Sequence, residues 1–413
     1  LTVHCAPVVL PSDGEPIENG AVVVDGDRIV AVGPRAEVAA GERIREWPGV
    51  LLPGLVNAHA HLQYTDFADL AESGLPFDVW IRTLTARRRT WTPPQWREST
   101  RRGVHEVLRT GTTCVADIVT DAGAVLSVLA RSGLAGTAYV EIVGVESPSW
   151  DRARSELAGK LDTAPNGVQL GVSPHALYSL GTEVVRGTVA LARERGLRLH
   201  PHLAETAEEA EFVLSGTGRF ADLSRSFDLT YELLDGGSGR TPVAEAAALG
   251  LLGGDVHVAH GVHVSADDRE VLRTCGTAVA LCVRSNRILG AGEPPVAAYL
   301  DEGSPVAVGT DSRASSPSLD LLEELAAVRE LAVSQGFPVE GLSRRLVEAA
   351  TIGGSYALGL PDVGRLTPGA RADLAVWDVP VDGDPYDALV AYGAGRCVAT
   401  VLGGRIVHRR GRA

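Results

Sequence analysis

Lysine is all but missing from this chain: Lys160 stands alone, and every other member of the basic set is arginine. Any chemistry that needs a lysine therefore has one candidate, in a stretch that reads as helix. Cysteine is scarce too. Cys5, Cys114, Cys275, Cys282 and Cys397 are odd in number, scattered and never spaced C-x-x-C. That argues against a disulfide framework or a cysteine zinc site and suits a reducing compartment. Positive charge is in deficit, with 38 Lys+Arg against 52 Asp+Glu and a formal net charge of −14. Nucleic acid and anionic membrane are therefore poor partners, and a small-molecule substrate is the better expectation. No apolar run reaches the roughly 18 residues that a membrane helix needs. Leu1–Leu10 lacks a basic segment and a cleavage pattern, so no signal peptide is expected and the expected location is the cytoplasm. No G-x-G-x-x-G follows the first central strand, which disfavours a dinucleotide-binding open sheet.

What is present is organised around Leu51-Leu52-Pro53-Gly54-Leu55-Val56-Asn57-Ala58-His59-Ala60-His61. Residues i and i+2 of a strand point to one face, so His59 and His61 aim their imidazoles at one place. Neutral imidazoles at one place suit a transition metal. The pair alone is weak evidence, and it gains force only if further ligands fall at later strand ends.

The 413 residues suffice for one large domain and a smaller one. Both ends are β-rich. Ala21–Val32 reads as two β-branched runs around Asp25-Gly26, a hairpin signal. Ala372–Trp377 reads as a strand, and Val398–Val407 as a hairpin turning at Gly403-Gly404. Residues 1–52 and 363–413 are therefore expected to form one small discontinuous β-domain, a sandwich built from both termini. Residues 53–362 alternate strand and helix. The expected strands are Leu55–His61, Thr112–Ile118, Gly136–Val143, Val168–His175, Arg198–Glu205, Val256–Val262, Thr277–Val283 and Pro305–Asp311. Amphipathic stretches such as Gln95–Arg109, Thr182–Arg195, Ala266–Cys275 and Leu319–Leu331 read as helices between them. Eight such units point to an α/β fold of the TIM-like (β/α)8 type. The longer interval Thr206–Leu252 reads as an insertion near the active face.

Active sites of such barrels lie at the C-terminal ends of the strands. Those ends carry His59 and His61, then His175, then His200 and His202 with Glu205, then His260, then Asp311. With 11 histidines in the whole chain, this concentration is hard to ascribe to chance. His59, His61, one histidine of strand 5 and Asp311 would hold one divalent cation, Zn²⁺ or Fe²⁺, with a position left for water. Spacing alone does not choose between His200 and His202. Glu205 has the position of a proton shuttle, and His260 that of a group orienting the water. His257 and His263 read as packing or surface residues. Arg284, Arg287 and Arg313 follow strands 7 and 8 and are candidates for a substrate carboxylate. In Leu75–Trp80, read as a loop, Trp80 is a candidate to cap a substrate ring.

The motifs Pro-Gly-Leu-Val-Asn-Ala-His-Ala-His, Val-Ser-Pro-His-Ala-Leu-Tyr-Ser, His-Leu-Ala-Glu, Ala-His-Gly-Val-His, Ser-Asn-Arg-Ile-Leu-Gly and Gly-Thr-Asp-Ser occur in that order. Together with Gly364–Leu374 they resemble the amidohydrolase superfamily, its chlorohydrolase and nucleoside-deaminase branch in particular. The resemblance covers nearly the whole chain. It implies His59, His61, His202 and Asp311 as metal ligands, with His202 preferred over His200. It implies Glu205 as proton shuttle, His260 as the water-orienting group with Asp311 assisting, and His175 as a substrate contact. Binuclear members of the superfamily use a carbamylated lysine at the end of strand 4. That strand has none here, so a mononuclear site is expected. The implied reaction is hydrolytic deamination of an adenine nucleoside modified at its 5′ side, with aminodeoxyfutalosine of menaquinone biosynthesis foremost. S-adenosylhomocysteine and methylthioadenosine are close competitors. Guanine, cytosine and s-triazine hydrolysis are more distant ones, and a non-catalytic scaffold the most remote. A homodimer is common among such relatives.

Overall fold

The computed structural model describes residues 1–39, 43–144 and 149–410. Eight parallel strands follow one another in the middle of the chain: Leu55–Ala60, Thr112–Val119, Ala135–Ile142, Gln169–Pro174, the split fifth strand Arg198–Leu199 and His202–Leu203, then His257–His260, Ala278–Leu281 and Val306–Val308. They are numbered 1 to 8 below. Strands 1 to 4 and the first half of strand 5 form one parallel sheet, and the second half of strand 5 to strand 8 form another. Single bridges at Leu199↔Val256 and Ala60↔Asp311 join the two arcs at both seams. Pro201 explains the split in strand 5, because proline has no N–H for the ladder. Every residue of strands 1, 2, 6 and 7 is buried, as sheets covered on both faces require. The expected helices are present as Pro93–Arg109, Thr182–Glu194, Ala266–Thr274 and Leu321–Ser334.

The terminal strands pair with one another. Val50–Pro53 runs antiparallel to Leu374–Trp377, from Leu374↔Pro53 to Trp377↔Val50. This seam joins both chain ends into a single eight-stranded sheet. The first hairpin turns at Gly26 (φ +58°) and pairs Asp25 with Arg28; the last turns at Gly403-Gly404. The sheet meets the barrel where Trp377 lies against Gly111. A Cβ on Gly111 would come within 2.4 Å of the indole, so this docking needs glycine.

Two segments stand over the strand ends. The 206–252 interval contains helices Ala207–Ser215, Gly218–Ser226 and Pro242–Ala248. The stretch Leu75–Trp80, expected as a loop, instead enters a helix, Phe77–Arg88, that starts directly after Pro76 and has Asp78 in its first turn. Proline before a first turn and an acid within it both favour a helix start. The two segments touch through the Phe77 and Phe220 rings (5.7 Å between centroids) and an Asp78–Arg219 ion pair of 3.5 Å.

Asp117 on strand 2 ties down the exit of strand 1. Its Oδ1 accepts the Leu62 N–H at 2.8 Å, one residue past His61. Burial pushes this carboxyl up to about 8, against the lowering effect of that N–H. A carboxyl raised in the folded state gives stability that is complete below its unfolded value, near 4, and lost as pH rises through 8. The substitution Asp117→Asn should therefore look more favourable at pH 8 than at pH 5, by up to about 3 kcal/mol. Denaturant unfolding of both proteins at the two pH values checks this; equal differences at both would refute it.

Candidate active site

Strand 8 approaches strand 1 closely. A Cβ on Gly309 would lie 2.6 Å from the His59 Cβ, so Gly309 lets Asp311 arrive beside the histidine pair. Asn57 fastens the two strands: its Nδ2 donates to Thr310 Oγ1 at 2.8 Å and its Oδ1 accepts from Thr310 N at 3.1 Å. Ala204, His260 and Asp311 all have positive φ (+53°, +76° and +57°). Such strain in non-glycine residues persists where surrounding structure enforces it, and it gathers at functional sites.

Hydrogen bonds fix which ring nitrogens are bare. His200 Nδ1 lies 2.8 Å from the His257 carbonyl, which only accepts, so Nδ1 carries the proton. His200 Nε2 then accepts from His59 Nδ1 at 2.8 Å, which leaves His59 Nε2 bare and buried, facing Asp311. His257 Nε2 donates to the Ala58 carbonyl at 3.0 Å. His202 Nδ1 donates to the His175 carbonyl at 3.1 Å, so its Nε2 is bare as well, 3.3 Å from His61 Nε2. Asp311 Oδ1 is 3.5 Å from Nε2 of both His59 and His61. Its Oδ2 accepts from Ser285 Oγ at 2.6 Å and Ser315 Oγ at 2.8 Å.

Electrostatics agree with this geometry. Burial pushes His61 down to about 4, against the pull of Asp311, and His260 down to about 3; His202 lies well below the usual value for the same first reason. Burial alone would raise Asp311, but His59, His61 and His260 hold it well below the usual carboxylate range. Neutral imidazoles and an ionised carboxylate facing one point are the donor set of a divalent cation. His59, His61 and His202 have ligand atoms within 4.8 Å of one another, and so do His59, His260 and Asp311. The hydroxyls on Asp311 and the carbonyl on His202 are the outer contacts that orient metal ligands. A lysine-bridged second ion has no support: strand 4 holds no lysine, and Lys160 pairs with Glu156 at 2.6 Å on the helix Trp150–Asp162.

Glu205 faces this cluster, its Oε1 3.5 Å from His260 Nε2. Burial raises its carboxyl well above the usual value, and the Asp311 and Glu209 charges add to the rise. Glu209, 0% exposed, accepts the backbone N–H of Ala204 at 3.1 Å and of Glu205 at 2.7 Å, and so holds the strained turn that carries Glu205. His260 Nδ1 faces Asn286 Oδ1 at 3.3 Å, leaving its Nε2 directed at Glu205.

The cluster floors a cavity of ≈ 980 Å³, open solvent at its mouth included. Phe77, Trp80, Leu84, Tyr178, Phe227 and Leu289 give it an apolar wall. Trp80 is held by its Nε1 donating to the Ala314 carbonyl at 3.0 Å. His175 lines the cavity as expected. The three arginines do not. Arg284 bonds Glu324 at 2.7 Å and also pairs with Glu323, Arg287 pairs with Glu293 and Glu330, and Arg313 pairs with Glu106 at 3.0 Å. These ion pairs turn them away from the pocket, and their assignment to substrate is corrected accordingly. Among the described residues, the charged side chains that line the cavity beyond the histidine–carboxylate cluster are Arg88 and Glu141, neither of which the sequence singled out.

The model of the amidohydrolase family matches residues 50–407. The chain belongs to that family. Among amidohydrolases, a 5-methylthioadenosine/S-adenosylhomocysteine deaminase of Haloarcula marismortui is 33% identical over 376 residues, 88% of this chain and 81% of that protein. The structure of an adenosine deaminase from Xanthomonas campestris with bound zinc superposes with a TM-score of 0.82 at 24% identity, covering 99% of this chain and 93% of that one. Helicobacter pylori aminofutalosine deaminase in complex with methylthio-coformycin gives 0.84 at 21% identity, covering 98% and 100%. At these identities the two structures speak to the fold, which this amidohydrolase shares over nearly its full length.

Proposed function

We propose that this amidohydrolase is a hydrolytic deaminase of adenine nucleosides modified at the 5′ side, working with one zinc ion held by His59, His61, His202 and Asp311. The observation that carries the proposal is Glu205, a buried carboxyl 3.5 Å from His260 at the edge of the histidine cluster, raised well above the usual carboxylate range by burial, under an apolar cavity wide enough for a nucleoside. A divalent cation at such a cluster supplies Lewis acidity and lowers the pKa of a water towards about 7. The chain's own groups then divide the proton work. Glu205 donates to the ring nitrogen beside the carbon under attack. His260 Nε2 and Asp311 Oδ1 orient the water and take its proton. His175 contacts the substrate, and Trp80 with Phe77 excludes water from the mouth. The proton taken by His260 and Asp311 passes to the amine, which departs as ammonia, and Glu205 regains a proton from the hydroxyl as the ring becomes a lactam.

Within this class one substrate proposed is aminodeoxyfutalosine, a reading that goes with a role in menaquinone biosynthesis. Its aryl carboxylate suits an aromatic wall with Arg88 beside it. The Haloarcula relative supports a second reading, methylthioadenosine or S-adenosylhomocysteine, with equal weight. The unit formed by 1–52 and 363–413 is proposed as a separate small domain on the strength of its own sheet. Ammonia release from aminodeoxyfutalosine, S-adenosylhomocysteine, methylthioadenosine, adenosine and guanine decides the substrate. Turnover of aminodeoxyfutalosine at least about 100-fold faster in kcat/KM than of adenosine is expected, a gap of about 2.7 kcal/mol. Equal rates on the two would refute the 5′ specificity and keep the reaction class; no release from any adenine nucleoside by the zinc-loaded protein would refute the class.

A further inference from the structure

Glu141 ends strand 3 and lines the cavity at 4% exposure. One oxygen is spoken for: Thr120 Oγ1 donates to Oε2 at 2.9 Å, and Gln63 Nε2 donates to Thr120 Oγ1 at 2.9 Å. The other, Oε1, is buried with no hydrogen-bond partner. Beside it stands His175. Its Nδ1 is held 2.8 Å from Ser179 Oγ, which also lies 3.0 Å from the Ala176 carbonyl, so the ring is fixed with Nε2 on the other side. A carboxylate oxygen of Glu141 and ring nitrogens of His175 and His202 lie within 4.8 Å of one another. His202 Nε2 already faces His61, which leaves the unpartnered Glu141 oxygen beside His175 at the cavity wall.

A buried acceptor without a donor is costly, and one that lines a cavity calls for a donor from what the cavity holds. A second divalent cation could fill the gap, but with His202 engaged it would have two protein ligands, too few for a stable site. We propose that Glu141 and His175 form a subsite for an uncharged hydrogen-bond donor of the substrate, and that on an adenine nucleoside this donor is a sugar hydroxyl. The assignment to the sugar rests on the nucleoside reading above. In such a molecule the adenine ring offers one N–H donor, the exocyclic amine, which is the group that leaves. Every other ring nitrogen is an acceptor or carries the sugar, so the donor comes from the sugar. Glu141 is therefore a specificity-determining residue, and Thr120 and Gln63 position it.

The test uses the zinc-loaded full chain and the nucleoside that the wild type deaminates fastest, alongside its 2′-deoxy and 3′-deoxy forms. Loss of a hydrogen bond to a charged acceptor lowers kcat/KM on the order of 10- to 100-fold. One of the deoxy forms is expected to show that loss with the wild type, mainly in KM. Glu141→Gln and Glu141→Ala should show a loss of the same size on the parent nucleoside. The deoxy form should then lose less than about threefold more, because the two changes remove one interaction. Bound metal should stay at one equivalent throughout. Unchanged kcat/KM in both variants overturns the proposal, as do losses that multiply for both deoxy forms. A metal content that falls from two equivalents to one on substitution overturns it in favour of the second cation. A wild type inactive on every nucleoside overturns the sugar assignment together with the nucleoside reading; an active wild type with indifferent Glu141 variants overturns this proposal alone.

Discussion

The substitution Asp311→Asn is expected to leave a folded protein that retains less than about a tenth of an equivalent of metal and turns over at least about 1,000-fold more slowly, a loss of roughly 4 kcal/mol of transition-state stabilisation. Three features make this the most damaging conservative change. Asp311 brings the carboxylate to a point 3.5 Å from both His59 and His61, and without it the cluster holds a dication with neutral imidazoles. Asparagine has the same shape, so its amide can donate to the Ser285 and Ser315 oxygens that now meet Oδ2, and packing is preserved. The backbone stays in its positive-φ conformation, which asparagine tolerates better than most residues. Metal analysis after gel filtration, circular dichroism and ammonia release together check the outcome. Near wild-type metal content with near wild-type rate would rule out Asp311 as a ligand.

Glu205→Gln should separate chemistry from metal binding. Metal content is expected to stay at one equivalent and KM within about threefold, while kcat falls about 100- to 10,000-fold, the range for a lost general acid. Its working form is the protonated one. The native carboxyl titrates well above the usual value, so activity is present below that raised pKa and lost as pH climbs through it. The Glu209 charge contributes to the rise, and removing it in Glu209→Gln should move this basic limb to lower pH. A Glu205→Gln enzyme of undiminished kcat, or a basic limb unmoved in Glu209→Gln, would contradict the role given to Glu205.

The parts of this site that sequence could reach are those with a local rule behind them. His59 and His61 were readable because strand alternation puts i and i+2 on one face. Glu205, His260 and Asp311 were readable because parallel barrels gather strand ends. The choice of His202 over His200 came from resemblance alone, and the structure supplies the physical reason. Pro201 breaks the strand between them, so His202 turns to the cluster while His200 stands behind His59 as its hydrogen-bond acceptor. His257, read as a packing residue, has a specific place as the next link behind His200. Two of the arginines are not legible in sequence because their partners are far away in it: Glu106 lies 207 residues before Arg313, and Glu324 lies 40 after Arg284; Arg287 pairs locally, with Glu293 six residues on. Arg88 is the middle of three consecutive arginines, and no periodicity marks it as the one that reaches the cavity. Glu141 sits in an apolar strand without a motif, and its importance appears only when Thr120 and His175 are brought to its sides.

The chain His59–His200–His257–Ala58 closes on itself, since Ala58 immediately precedes His59. Tyr139 is wedged against two of its links, 5.1 Å from the His200 ring and 5.4 Å from the His257 ring. The basicity of His59, a proposed metal ligand, is thereby coupled to the spacing of strands 1, 5 and 6. In most barrels a core substitution on those strands would register as lost unfolding free energy. Here the same substitution should register first as faster metal loss, so metal retention serves as a gauge of how tightly the barrel is shut.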